Sequence, residues 1–338
     1  MKFYKIAALI LIGCLTGNHI QAQKLIDLNK TDDMTKHTYP EKKKPLDVVL
    51  LNVSQWNSSE NINLSAYKNL QVLRIENCDM ARIEIDFNQT PLLQSVYINA
   101  ATYDTLIFKG KPQHLIELFV YEHHFTDYNF LSQLSSLESV YAGDSMNLNI
   151  DNLVSNLLKL PKLNTVYIVD GNLTKLPETF KQFKKLDWLS MVFMDSTFNL
   201  SAFFETIKDI EVNHLDLGGC QSTKLPANIK VLKKIKNLHI VSSMFTTLPE
   251  EIGELTQLEE ISASMGSLSS LPNAMVKLIN LKVLGVMPCE FTTIPEVLYQ
   301  MTWLKELEVG SNEWFPTDEE LKPLRKKLKG CKVNDFGG

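Results

Sequence analysis

The chain repeats itself, and this limits its possible folds more than any other feature. Leu258, Ile261 and Ala263 are followed by Gly266, Leu268, Leu271 and Pro272. One period later, Leu281, Leu284 and Val286 are followed by Cys289, Phe291, Ile294 and Pro295. The same frame opens at Leu163, Leu186, Val212, Ile235 and Leu304, with weaker copies at Val48, Leu70, Leu93, Leu115 and Leu137. Successive starts differ by 22 or 23 residues, apart from two intervals of 26. A fixed period of this length marks a stack of like units, each touching only its neighbours.

Within a unit, the opening apolar residues alternate with variable ones, which is the period of a strand. After each proline the apolar spacing becomes helical, as in Ile252, Leu255 and Leu258 or Met275, Leu278 and Leu281. Pro177, Pro226, Pro249, Pro272 and Pro295 each fix φ and give up an N–H that a helix's first turn would not use. Each unit therefore reads as a strand, a turn and a short helical return. Neither half can bury its apolar stripe alone, so stacking must build one continuous core.

The frame resembles the leucine-rich repeat, L-x-x-L-x-L-x-x-N/C-x-L, and the closing Leu-Pro followed by x-x-I-x-x-L resembles its short class. The resemblance covers about residues 48–316. It implies an α/β solenoid of horseshoe form, with a parallel β-sheet on the concave face and short helices and turns on the convex face. The two longer units have room for fuller helices, around Leu153, Leu157 and Leu160 and around Phe203, Phe204, Ile207 and Ile210. At the C-terminus, Thr317 to Glu320 reads as a capping box, and Leu321, Leu324 and Leu328 supply a buried face before Gly330. The expected organisation is a signal peptide over 1–22, a polar N-terminal capping segment over 23–47, about twelve repeats over 48–316 and a cap over 317–338.

Lys2 and Lys5 precede an apolar run from Ile6 to Leu15, and a polar stretch ends at Ala22, a small residue suited to cleavage. The run is too short to span a bilayer. This predicts an exported protein, whether secreted, periplasmic or on the cell surface. A rival pattern, Leu11 to Cys14, resembles a lipobox that would place a lipid anchor on Cys14. No other stretch reads as a transmembrane segment.

Cys78, Cys220 and Cys289 fall on the N/C position of their repeats, where the family satisfies backbone groups in the turn. Their role is thus structural, and they lie several repeats apart, too far to pair with one another. Trp56, His123, Met194 and Asn312 hold the same position elsewhere. No metalloprotease, nucleophile-elbow, P-loop or CxxC spacing occurs, so neither an enzyme nor a cofactor is expected. His123 and His124 read as a turn-capping or solvated pair, while His214, His239 and Asp216 form at most a loose divalent-ion triad; the expectation is no metal. A formal net charge of −5 gives no footprint for nucleic acid.

The residues between the strand leucines face outward, and along the chain they read Asn52, Arg74, Tyr97, Phe119, Tyr141, Tyr167, Ser190, Asp216, His239, Ser262, Gly285 and Glu308. Four consecutive aromatics at strand spacing make a stripe roughly 14 Å long, with Tyr121, Val169, Trp188, Val192 and Phe193 beside it. Such a stripe serves either as an exposed binding patch or as a ladder that stabilises the sheet. Glu122, Asp144 and Asp170 recur at one position in three repeats, with Glu117 nearby. These acids either splay into solvent and cap turns or await a cationic partner or Ca²⁺. The expected function is protein or peptide recognition through Tyr97, Phe119, Tyr121, Tyr141, Tyr167, Trp188, Glu117, Glu122, Asp144 and Asp170. The alternatives are a glycan-binding protein using the same rings, or a structural envelope protein without a discrete ligand.

Overall fold

A computed structural model describes residues 25–28, 49–54, 62–99, 103–143, 148–169, 172–311 and 316–334. Asp144, Asp170, Trp56, Asn312, Cys14 and the expected signal peptide lie outside the described residues.

Each repeat supplies one strand to the main sheet, two early repeats supply a second strand outside it, and one further strand lies beyond each end of the repeats. The first nine are β1 Leu25–Leu28, β2 Leu50–Ser54, β3 Val72–Glu76, β4 Arg82–Asp86, β5 Ser95–Asn99, β6 Thr105–Lys109, β7 Glu117–Tyr121, β8 Ser139–Gly143 and β9 Thr165–Val169. The remainder are β10 Lys185–Val192, β11 Glu211–Asp216, β12 Asn237–His239, β13 Glu260–Ser262, β14 Val283–Cys289, β15 Glu306–Ser311 and β16 Lys332–Asn334. Fourteen of them form one sheet, which takes the strands in chain order but leaves out β4 and β6. Every pairing is parallel and equivalent repeat positions are in register, as in Phe119↔Tyr141↔Tyr167↔Ser190.

The core follows the repeat frame. Leu238 and Ile240, Ile261 and Ala263, Leu284 and Val286, and Leu307 and Val309 are all buried. After each proline the chain winds into a single 3₁₀ turn, and Ile229, Ile252, Met275 and Leu298 point from these turns into the same core. The amide of each donates to the proline carbonyl three residues back. Proline itself sits one place earlier than the sequence pattern suggests. In most of these turns it is the extended residue that precedes the turn, where its fixed φ directs the chain and no amide is needed. The two longer repeats do carry α-helices, α1 Ile150–Leu157 and α2 Leu200–Ile207, each capped by an asparagine, Asn149 and Asn199.

On the convex side, the N-terminal repeats depart from the expected helical return. β4 and β6 form a separate two-stranded parallel sheet. Ile83, Ile85, Leu106 and Phe108 alternate inward while Arg82, Glu84, Thr105 and Lys109 face out, so these segments have period two and no proline to start a turn. At the far end, helix α3 (Asp318–Lys327) carries the Thr317–Glu320 capping box and buries Leu321 and Leu324. Beyond it the chain adds a strand absent from the sequence expectation. β16 pairs with β15 and occupies its free edge.

Candidate binding face

The three turn cysteines have the place expected of them. The Cys289 thiol donates to the Ala263 carbonyl at 3.2 Å, and the Cys78 thiol to the Glu76 carbonyl at 3.4 Å. Burial pushes the Cys220 thiol up to about 12 and the Cys289 thiol up to about 11, so both stay protonated. The two adjacent histidines behave differently from each other. His123 is fully buried and stacks on Phe125 at 3.9 Å. Its ring nitrogens meet the Phe125 carbonyl and the Tyr128 hydroxyl, each at 3.1 Å. Burial lowers its pKa to about 4, which keeps it neutral. His124 is exposed and faces Asp104.

The aromatic row forms, but it is not an exposed patch. Tyr121, Tyr141 and Tyr167 are only 3–4% exposed and join Val169 and Val192 in a second apolar cluster on the concave face. Tyr97, Phe119 and Phe193 are half-buried against it. Phe119 stacks on Tyr141 at 3.9 Å, Tyr167 lies 5.4 Å beyond, and Tyr97 lies 5.4 Å on the other side. The outer face of Tyr97 is covered by the Arg74 guanidinium at 5.8 Å. In-register parallel pairing puts these rings at strand spacing, where each covers its neighbour. Burial accordingly raises the pKa of Tyr97, Tyr141 and Tyr167. One close approach makes the packing possible: a side chain at Gly143 would collide with the Val169 carbonyl, 1.9 Å from its Cβ.

Of the acids expected beside the row, Glu117 is half-buried, and desolvation raises its pKa against the hydroxyl of Ser95. Glu122 is exposed in the left-handed region at φ 51°, and its amide donates to the Gly143 carbonyl at 3.3 Å.

Past β9 the face changes character. Trp188 does not join the tyrosines; it stacks on His214 at 4.7 Å and presents an edge to His239 at 5.3 Å. The Trp188 indole N–H donates to Ser190 Oγ at 2.7 Å, and Ser190 in turn donates to Asp216 Oδ2 at 3.3 Å. The Gly218 amide donates to Asp216 Oδ1 at 2.9 Å. Desolvation nonetheless raises the Asp216 pKa, with the Gly218 amide, His239 and Ser190 opposing it. His239 Nε2 stands 3.6 Å from Glu260 Oε1, and Asn237 Nδ2 donates to Glu260 Oε2 at 3.0 Å. The His214–His239–Asp216 triad is therefore a mixed polar and aromatic set. Among the described residues, no group of three or more His, Cys, Asp or Glu side chains could hold a metal ion.

Ser190, Asn237 and Glu260 were missed as participants in this set. A signal for two of them exists: the residue just before the first strand leucine also faces outward, and that row reads Trp188, His214, Asn237, Glu260, Val283 and Glu306.

Comparison with known proteins agrees with the repeat architecture. Residues 210–329 match the model of the leucine-rich repeat region family. The fold is a leucine-rich repeat solenoid. A chain of the octameric complex of Latrophilin 3, Unc5D and FLRT2 (LRR) superposes with a TM-score of 0.50 at 17% identity, covering 80% of this chain and 84% of that one. A leucine-rich repeat protein of Leptospira interrogans gives 0.49 at 20% identity, covering 85% and 78%. An internalin of Listeria monocytogenes gives 0.47 at 17%, covering 87% and 88%. No curated protein matches the chain. No helix among the described residues of the solenoid is long and apolar enough to cross a membrane.

Proposed function

We propose that this chain is an exported, non-enzymatic recognition module that takes a protein or peptide on the concave face of its solenoid. The observation that carries this reading is how the concave rings are used. Phe119, Tyr141 and Tyr167 lie against one another, Arg74 covers Tyr97, and Trp188 stacks on His214. A sugar bound by stacking requires a free ring face. A peptide needs ring edges, half-buried apolar atoms and polar groups at an interface core, and Tyr97, Phe119 and the Trp188 set supply those. Tyr121, Tyr141 and Tyr167 then act beneath the surface, holding Tyr97 and Phe119 in place, while Glu117 and Glu122 border them. Assembly with other proteins is also the setting in which the FLRT2 (LRR) complex was solved. Export rests on the basic and apolar pattern from Lys2 to Leu15, ending at Ala22, with lipid attachment at Cys14 as its variant.

The test is selection of a displayed random-peptide library and a glycan array against the same protein. Enriched peptides that lose binding in Phe119→Asp, with the melting temperature retained, support the reading. Glycan binding in place of peptide enrichment, or enrichment indifferent to every concave substitution, overturns it. N-terminal sequencing of the protein made by its own cells tests export: a start at Gln23 or at a lipidated Cys14 is expected, and an intact Met1 contradicts it.

A further inference from the structure

The two flanks of the solenoid, one where strands begin and one where they end, differ in charge. At β9 to β15, the two residues before each repeat's opening apolar residue and the one after it hold eight lysines against three acids, Asp187, Glu211 and Glu259. The whole chain has a formal net charge of −5, so this strip runs against it. The same positions at β3, β5, β7 and β8 hold one lysine and one glutamate, Lys68 and Glu138. On the opposite flank, the segments leaving β12 and β13 have no charged side chain from Ile240 to Pro249 or from Ala263 to Val276. Positive charge is thus concentrated on one rim of the later repeats.

All eight lysines are exposed. Lys185 pairs with Glu211, Lys233 with Glu254 and Lys282 with Glu259. Among the described residues, Lys162, Lys184, Lys234, Lys236 and Lys305 make no ion pair. Lys236 lies near Glu211 and Glu259, and Lys234 near Glu211, but Lys185 and Lys282 already hold those carboxylates.

The backbone makes this rim level. Strands β9 to β15 pair with equivalent repeat positions opposite one another at their starts. The amides of Lys236, Glu259, Lys282 and Lys305 each donate to the carbonyl of the equivalent residue one strand back. Seven strand starts at this spacing span about 29 Å. Apolar groups stand among the lysines. Ile279 is 66% exposed, more than any other large hydrophobic among the described residues, and Trp303 is half-buried one strand on. A level rim of long cationic side chains matches a plane of negative charge, and lysine with exposed apolar groups is the composition that adsorbs on an anionic bilayer.

We infer that the strand-entry rim of β9–β15 docks on the anionic phospholipid headgroups of a bilayer, with Lys162, Lys184, Lys234, Lys236 and Lys305 meeting phosphates and Ile279 entering the headgroup layer. The solenoid then stands with this rim on the bilayer, and its concave face stays open to a partner. The rim is separate from the concave face, so either proposal can fail without the other.

Sedimentation of the full chain with phosphatidylcholine vesicles, with and without phosphatidylglycerol, tests the rim. The chain should bind the anionic vesicles at least tenfold more strongly than the neutral ones, and the difference should shrink as salt is raised. Each lysine near an anionic surface strengthens binding about fivefold. Lys234→Gln/Lys305→Gln should therefore bind at least tenfold more weakly, with an unchanged melting temperature. Lys175→Gln/Lys224→Gln removes the same charge beyond the ends of β9 and β11 and should bind as the parent does. Equal binding to the two kinds of vesicle, or as large a loss in the control pair as in the rim pair, overturns the inference. Retention on an immobilised acidic polysaccharide without sedimentation on either vesicle overturns it too.

Discussion

On β5, β7, β8 and β9 the side chains between the strand leucines are Tyr97, Phe119, Tyr141 and Tyr167; from β10 to β15 they are Ser190, Asp216, His239, Ser262, Gly285 and Glu308. Both stretches pair in parallel with equivalent repeat positions opposite one another, apart from a register shift between β14 and β15 past Val286. The first stretch closes over itself and becomes a second core, whereas the second leaves a polar floor of serine, glycine, histidine and hydrogen-bonded carboxylates. One scaffold thus yields a ring-packed apolar surface and a polar one, according to side-chain size and charge at the outward positions. The convex side divides in a similar way, with strands β4 and β6 in the early repeats and proline-led 3₁₀ turns in the later ones.

The comparison breaks most readily at the tyrosines. Tyr167→Ala removes a side chain 4% exposed and should cost roughly 3–5 kcal/mol, the range for truncating a buried aromatic. Chemical denaturation measures it, and a cost under about 0.5 kcal/mol would mean that the row is surface and not core. An alanine at Tyr141 or Tyr167 is therefore a folding defect first, and a poor test of binding.

Acid comes next in size. His123 is neutral when folded with a pKa near 4, against about 6.5 when unfolded. Below the unfolded value the unfolded chain takes up the proton first, so this part of stability is complete above about pH 6.5 and fades as pH falls towards 4. The loss is on the order of 3 kcal/mol. Asp216 has the opposite sign: its raised folded pKa means that the folded state holds its proton longer, so its contribution improves as pH falls. Hydrogen exchange at pH 4.5 should find the repeats around His123 loosened before those around Asp216. The reverse order would sink the contrast.

Smaller effects sharpen the picture. Thr317→Ala breaks the capping box of α3 and should cost about 1 kcal/mol, confined in hydrogen exchange to α3 and β16. Ser262→Ala, on the open floor, should change stability by no more than about 0.5 kcal/mol. Thermal melts of the two variants rank them.

Much of this was legible in the sequence. The repeat frame identified the core residues, and the turn cysteines followed from their place in it, as did the helices around Leu153 and Phe203. The outward row from Tyr97 to Glu308 could be read off residue by residue. Its meaning could not, because the same four aromatics suit a binding patch and a packing ladder equally well. Nor did the pattern show β16, whose short stretch from Lys332 to Asn334 becomes a strand only because β15 offers an edge.

The sequence by itself determined the period, the inward and outward positions of each repeat, and where charge and aromatic groups fall along the outward row. The tertiary structure decided which of those outward groups meet water. Exposure depends on what stands one strand away, and that neighbour lies 22–26 residues off along the chain. Rings brought to 3.9–5.4 Å of each other exclude water and become core. Serine, glycine and well-spaced carboxylates at the same strand spacing cannot fill the gap, and that part of the face stays open.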